Sequence, residues 1–159
     1  MGLGPSDATA SWMQVSGIQG EATDAAHKDW IDVFGVKLGD ERAVTPGLPA
    51  GSGVLNAKFS NVTVVKTLDK ATGALWVASA SGKPITQVVI DTQTAAGNKR
   101  QRIILTNVVL SSLNSSNGVN ESVGMAYRTI RIEDSSKSNL GTWVASGPVF
   151  TWDTSTNKP

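Results

Sequence analysis

The sequence lacks cysteine altogether and has a single histidine, His27, among its 159 residues. Without cysteine it cannot form disulfides, use thiol catalysis or build iron–sulfur or cysteine–zinc sites. One imidazole is too few for a histidine-rich metal centre. Charged residues are also scarce, at 17%, and aromatic residues make up only 6%. We therefore expect neither a bound metal nor a cofactor.

An excess of one charge and long apolar runs are missing as well. Fourteen basic residues balance 13 acidic ones, for a net charge of +1, which provides no field for holding a phosphate backbone. The longest aliphatic run, Ile103-Ile104-Leu105, is far too short to span a bilayer. The first ten residues have no basic region followed by an apolar one, so we expect no secretory signal peptide there. These features predict no nucleic-acid partner and no membrane insertion.

No arrangement of residues typical of an enzyme is present. The sequence contains no Gly-x-Ser-x-Gly elbow, His-Glu-x-x-His pair, phosphate-binding loop or EF-hand loop. His27 beside Asp24 and Asp29 could form a base with an orienting carboxylate, but a turn between two strands is favoured because no nucleophile pattern accompanies it. Glu133 and Asp134 are neighbours on a predicted strand and so point to opposite faces. We predict no catalytic residue and no enzymatic activity.

β-Branched residues dominate what is present: 17 Val, 8 Ile and 15 Thr, which favour extended backbone. Short apolar runs alternate with segments rich in Gly, Pro, Asn and Ser. They predict strands over residues 11–18, 30–38, 54–66, 85–94, 100–113, 119–133 and 141–152. We expect a mainly β fold, an antiparallel β-barrel of about seven to eight strands with one flanking α-helix.

The helix is predicted over Leu68–Ser81. Asp69 can cap its first turn, and Gly82 followed by Pro84 ends it. The predicted apolar stripe that packs on the barrel consists of Leu68, Ala71, Leu75 and Ala78.

One predicted strand, Arg100–Leu113, is apolar on both faces. Since one small barrel can bury only one of them, the second apolar phase should contact the helix or another subunit. We assign Ile104, Val108 and Leu110 to this contact. On the next strand the apolar phase changes near Arg128-Thr129, which predicts a β-bulge there.

The segment between Gly39 and Gly53 is long for a loop in a compact domain and rich in Gly and Pro. Connections of that length without secondary structure are usually functional or disordered. Its candidate contact residues are Asp40, Glu41, Arg42, Val44 and Leu48.

Taken in order, several segments resemble Hcp, the haemolysin-coregulated tube protein family of type VI secretion systems. No single motif is specific, but their order and spacing together are. A middle-strand Tyr common in the family is replaced here by Gln101-Arg102. The resembling segments are Trp12–Asp24 with its Gly-x-x-Gly-Glu turn, His27–Val33, Phe59–Ala71, Ser81–Ile85, Glu121–Tyr127 and Trp152-Asp153. The resemblance implies a polar extension over residues 1–11, one Hcp-like domain over 12–153 and a tail over 154–159.

The resemblance further implies a structural protein that forms hexameric rings. These rings stack into a hollow tube inside a contractile sheath, behind a spike protein, and small effector proteins travel in the lumen. Such a protein assembles in the cytoplasm and is then secreted without a signal peptide. Two alternatives remain: a soluble β-barrel module that binds carbohydrate or peptide, and the tube protein of a related phage-like contractile particle.

The same resemblance suggests roles for two surfaces. The loop after Gly39 should contact a neighbouring ring. The lumen should be polar, because a channel that passes varied cargo must not grip any of it. Its candidate residues are Thr86, Gln87, Asp91, Gln93 and Thr94.

Overall fold

The computed structural model describes residues 9–41 and 58–159. The strands and the helix follow in this order: β1 Thr9–Val15, β2 Ile31–Val33, β3 Gly35–Lys37, β4 Asp40–Glu41, β5 Lys58–Phe59, β6 Val62–Thr67, α1 Thr72–Ser81, β7 Ile85–Thr94, β8 Lys99–Ser116, β9 Asn120–Lys137, β10 Trp143–Ala145 and β11 Phe150–Asp153. The predicted mainly β antiparallel fold with one helix is confirmed. More strands are found than predicted, because three of the predicted runs are each divided in two and β4 lies in the segment predicted as a loop.

All main strands pair antiparallel in the order β2-β1-β7-β8-β9-β6-β3. The two ends of this order, β2 and β3, are consecutive in the chain and separated only by Phe34, whose N–H donates to the carbonyl of Val65. Within the described residues no ladder pairs β2 with β3. The sheet is therefore not a barrel closed by hydrogen bonds; the continuous chain joins its ends instead.

The sheet bends sharply where β7, β8 and β9 run side by side. Asn107 in β8 has a left-handed backbone, with φ of 50°. On β8 the buried residues Leu105 and Val108 are three apart, and on β7 so are Ile85 and Val88, whereas strand side chains alternate with a period of two. The core face therefore changes phase at Asn107.

This bend divides the sheet into two halves that enclose one core. We call residues 88–94, 99–106 and 129–137, with β1, β2, β10 and β11, the first half. The second half consists of residues 108–116 and 120–127 with β6 and β3. Between β8 and β9, residue 106 pairs with 129 and residue 108 pairs with 127, so the register does not change at Asn107. The one register shift in this ladder lies between Leu110 and Ser112. The bulge predicted near Arg128-Thr129 is wrong, because the phase changes at a bend shared by three strands.

The core lies between the two halves. Met13, Ile90, Leu105, Val123 and Met125 are among its fully buried side chains. Phe59 and Ile132 also lie on apolar faces of their strands, but both side chains are only half-buried.

Helix α1 covers one side of this core and packs against β8. It is shorter than predicted and begins at Thr72. Ala71, Leu75 and Ala78 are buried as expected, but Leu68 is 58% exposed, because it lies before the helix. Gly82 ends α1 in the left-handed conformation, and its N–H donates to the carbonyl of Ala78, as its sequence position predicts.

Candidate assembly surfaces

The segment 20–30 lies on the outward face of the first half, held by His27. This ring is 2% exposed, stacks on Trp12 at a centroid distance of 4.1 Å and meets Trp30 edge-on at 4.7 Å. Gly20 permits the close approach of this segment, since a Cβ there would lie 2.3 Å from the carbonyl oxygen of Trp30. His27 is therefore a structural anchor, in line with the turn favoured for it.

The two nitrogens of His27 face two carboxylates. Nδ1 lies 2.6 Å from Asp24 Oδ2, and Nε2 lies 2.8 Å from Asp91 Oδ2. Each ring nitrogen therefore has a carboxylate oxygen within hydrogen-bond distance, and the ring is held from both sides.

Asp91 is the centre of this ion cluster. It is fully buried and receives two hydrogen bonds from Arg102, at 2.6 Å from Nε and 2.7 Å from Nη2. Burial alone would raise the pKa of the Asp91 carboxyl, but hydrogen bonds from Arg102 and His27 outweigh burial and lower it. The hydrogen bond to Asp91 likewise raises the pKa of Arg102. The cluster therefore fixes segment 20–30 to β7 and β8.

A second ion cluster lies in the second half, on the core side beneath the start of α1. Lys66 is fully buried, with its Nζ 2.5 Å from Glu121 Oε1 and 2.9 Å from Asp69 Oδ1. Thr72 also donates to Glu121 at 3.0 Å, and Asp69 Oδ1 accepts the N–H of Ala71. Sequence reasoning missed this cluster, although Lys66 continues the buried phase of Val62 and Val64.

The three predicted contact residues of β8 separate in the structure. Val108 and Leu110 are buried in the same core cluster as Leu75 and Ala78 of α1. Of the three, only Ile104 lies on the outward face, where its side chain is half-buried. Its cross-strand partners are Val89 on β7 and Arg131 on β9. Val108 and Leu110 therefore agree with the helix alternative of the predicted contact. The single outer phase shared with Ile104 is wrong, because the phase changes at Asn107 between them.

The predicted lumen residues are also divided. The prediction that Asp91 lies on the lumen surface is wrong, because its side chain is fully buried against Arg102 and His27. Gln87 and Gln93 share its outward phase. Thr86 is exposed at the bend, and Thr94 lies on the other phase, where its hydroxyl donates to Asn98.

The outward face of the second half has a different composition. Across neighbouring strands, Gly35, Val65, Ser122 and Asn114 form one row, and Lys37, Thr63, Gly124 and Ser112 form the next. Directly opposed residues share a face. We call these eight residues the neutral face. They are small or uncharged except for Lys37, and none is aromatic.

The proposed stacking loop is partly described. Asp40 and Glu41 form β4 and pair with Phe59 and Lys58 of β5, so these two residues belong to a strand and not to an irregular loop. Arg42, Val44 and Leu48 lie outside the described residues.

The remaining surface features are apolar or aromatic. Phe59, Phe150 and Trp152 group together at centroid distances of 5.5 to 6.3 Å. A groove of about 600 Å³ runs along α1, with Ile18, Val77 and Pro84 in its walls.

In the part of the chain that the structure describes, no group of three or more His, Asp or Glu is placed to hold a metal ion. No helix there has the length and apolar character needed to cross a bilayer.

Comparison with known proteins identifies the family. The family model described as "Type VI secretion system effector, Hcp" matches residues 12–133. Hcp1 from Salmonella typhimurium is 22% identical with a TM-score of 0.72, over 95% of this chain and 98% of that one. A structure described only as a type six secretion system protein is 24% identical with a TM-score of 0.75, over 95% and 99%.

A type VI secretion system effector from Yersinia pestis has the same fold, with 19% identity and a TM-score of 0.66 over 91% of this chain and 99% of that one. No curated protein sequence matches significantly. Because the family model spans most of the chain, this protein belongs to the Hcp family of type VI secretion systems.

Proposed function

We propose that this protein is a structural tube subunit, which assembles into hexameric rings that stack into a hollow tube and carry effector proteins. The family match over residues 12–133 carries the proposal, and the resemblance of the motifs supports it. Its partners would be further copies of itself, the spike and sheath of the apparatus, and small effectors in the lumen. Assembly in the cytoplasm precedes secretion.

Mass in solution tests the ring directly. At tens of micromolar, light scattering should give a mass near six protomers, and electron micrographs should show rings with a central hole. A monomer at all concentrations would overturn the ring and favour the alternative, a β-barrel module that binds carbohydrate or peptide. A tube of a related phage-like particle would give the same rings, and reconstitution with a type VI spike protein separates these two assignments.

The neutral face is the surface best suited to the lumen. Cargo of varied sequence passes most easily over small uncharged side chains, which offer neither ion pairs nor large apolar contacts. The outward face of the first half is instead partly covered by segment 20–30 and contains charged residues. We propose that the neutral face lines the channel, and that Gln87 and Gln93 lie elsewhere.

A cysteine-free chain makes this assignment easy to test. Ser112→Cys places one thiol on the neutral face, and Gln93→Cys places one on the first half as the matched control. In stacked tubes a bulky thiol reagent should label Ser112→Cys at least tenfold more slowly than in dissociated protein. Equal labelling of Ser112→Cys in both states, with Gln93→Cys protected, would instead favour the lumen set predicted from sequence.

The stacking role of the loop beginning at Asp40 and Glu41 stays a proposal. Strands β4 and β5 hold the two ends of residues 42–57 next to each other, so a shortened connection can join them. Deleting residues 44–51, which include Val44 and Leu48, should leave ring mass unchanged and prevent tubes in micrographs. Tubes of normal length from the deleted variant would rule out a stacking role.

A further inference from the structure

The first half of the sheet has cations concentrated at one edge. Arg100 lies with its Cζ 4.6 Å from the ring centroid of Trp143, and Lys137 Nζ lies 5.5 Å from the same centroid. Arg100 Nε is buried and has no hydrogen-bond partner among the described residues. A buried polar atom without a partner is rare in folded proteins and calls for an explanation. We call Arg100, Lys137 and Trp143 the basic edge.

The basic edge has the composition of a protein interface. Trp and Arg are enriched among the residues that contribute most to binding between proteins. In the same hairpin, Leu140 and Val144 are 91% and 54% exposed. Exposed apolar side chains in this hairpin, together with an Arg100 Nε that lacks an acceptor, fit a partner chain that brings carboxylates.

Carboxylates gather near the opposite edge of this half, where segment 20–30 meets the residues before α1. Asp32 of β2 is exposed between the buried residues Ile31 and Val33. Glu21 is held beside the start of α1, because its Oε1 accepts the N–H of Lys70 at 2.7 Å. Burial first, and then the negative charges of Asp69, Glu21 and Asp24, raise the pKa of Asp32. We call Glu21, Asp24, Asp32 and Asp69 the acidic edge.

Two of these acids already have cationic partners within the chain. Asp24 contacts His27, and Asp69 contacts Lys66. For Glu21 and Asp32 no ion pair is found in residues 9–41 and 58–159. The acidic edge therefore keeps uncompensated negative charge.

The two edges are arranged for a ring. Sheet order places β2 at one end and β10 at the other, across β1, β7, β8 and β9, about 24 Å apart at a strand spacing of about 4.8 Å. Cross-strand pairs put Asp32 on the outward phase with Trp12, Asp91 and Arg102, the phase that Arg100 also occupies. A head-to-tail ring requires two different and complementary patches on each subunit.

We propose that the basic edge of one protomer docks on the acidic edge of the next copy, so that carboxylates of the neighbour become the acceptors for Arg100. This inference rests on the ring assembly proposed above. It assigns the interface to charges at the two edges of one sheet and makes it sensitive to salt, because exposed ion pairs are screened.

Paired charge reversal tests the docking. One variant carries Arg100→Glu and Lys137→Glu, and the other carries Glu21→Lys and Asp32→Lys. Each alone would bring like charges together in a homogeneous ring, so each should lose the six-protomer mass. Mixed in equal amounts, they should restore it, because a six-membered ring can alternate the two variants with opposite charges at every contact. Lys83→Glu, away from both edges, is the control and should keep the ring.

The outcomes separate this inference from the proposed function. A monomeric wild type contradicts the ring itself. A hexameric wild type whose two charge-reversed variants also stay hexameric, or whose mixture fails to reassemble, overturns the docking and leaves the ring intact. Loss of the ring in Lys83→Glu would also overturn it, since any charge change would then suffice. Circular dichroism checks folding, and should a double variant unfold, the exposed single changes Lys137→Glu and Asp32→Lys decide in the same mixing experiment.

Discussion

The two halves of the bent sheet each bury an ion cluster, but on opposite faces. In the first half, Asp91 and Arg102 lie on the outward face, and segment 20–30 covers them with His27. In the second half, Lys66 and Glu121 lie on the core side, beneath the start of α1. In both places a segment outside the sheet brings the matching charge or hydroxyl. Buried charge in this fold is therefore a means of attaching a helix or loop to a strand.

This difference decides what each half exposes. Because the second half has its ion cluster inside, its neutral face has small or uncharged residues at every position except Lys37. The first half instead presents charges at its edges, where further copies of the chain can pair with them. The two halves thus suit the two roles proposed for them, a channel wall and a contact between neighbouring copies.

A charge introduced on either side of the bend should have the largest effect on folding. Val108→Asp puts an unpaired carboxylate in the core of the second half, at a cost of several kcal/mol. That is a large part of the free energy of unfolding of a typical domain, about 5–15 kcal/mol. It should not fold. Ile104→Asp, half-buried on the outward face beside Arg131, should remain folded. Circular dichroism and urea titration distinguish them, and unfolding of Ile104→Asp would contradict the phase change at Asn107.

The second-half ion cluster should be the more sensitive to losing one member. Glu121→Ala leaves the fully buried Lys66 with Asp69 as its one carboxylate partner, and breaking a buried pair costs about 3–5 kcal/mol. Replacing both charges, as Lys66→Met with Glu121→Leu, should recover part of that loss. Urea unfolding free energies measure both. A loss below about 1 kcal/mol for Glu121→Ala would show that the pair contributes little.

Acid should act on the first-half ion cluster. The pKa of Asp91 is lowered in the folded protein from its usual 3.8, so its stabilisation is present above about pH 4 and is lost as pH falls through the folded pKa. Asp91→Asn should cost about 1–3 kcal/mol near neutral pH, as loss of charged hydrogen bonds does. The gap between wild type and variant should shrink below about pH 4. A constant gap between wild type and Asp91→Asn across this pH range would refute the assignment.

Local patterns in the sequence predicted the regular elements well. β7 has the predicted bounds, and α1 ends at Gly82, because alternation and a glycine C-cap are properties of adjacent residues. The faces of the long strands were not predictable in this way. Val108 and Leu110 were assigned to the same phase as Ile104 because alternation was carried through Asn107, where the core-facing phase changes. Asp91 was placed in the lumen because a polar residue on a strand is usually exposed, and its partners His27 and Arg102 are distant in sequence or on the next strand.

Substitutions at Asn107, where the bend lies, should have the smallest effect on stability of those considered. Its positive φ costs an ordinary residue about 1–2 kcal/mol, whereas glycine adopts it freely and asparagine more readily than most. The Asn107 side chain is exposed, so backbone conformation should dominate any change. Asn107→Ala should lower the free energy of unfolding by about 1 kcal/mol, and Asn107→Gly should leave it within about 0.5 kcal/mol of wild type. Equal losses in the two variants, measured by urea titration, would mean that the side chain rather than the left-handed backbone matters at the bend.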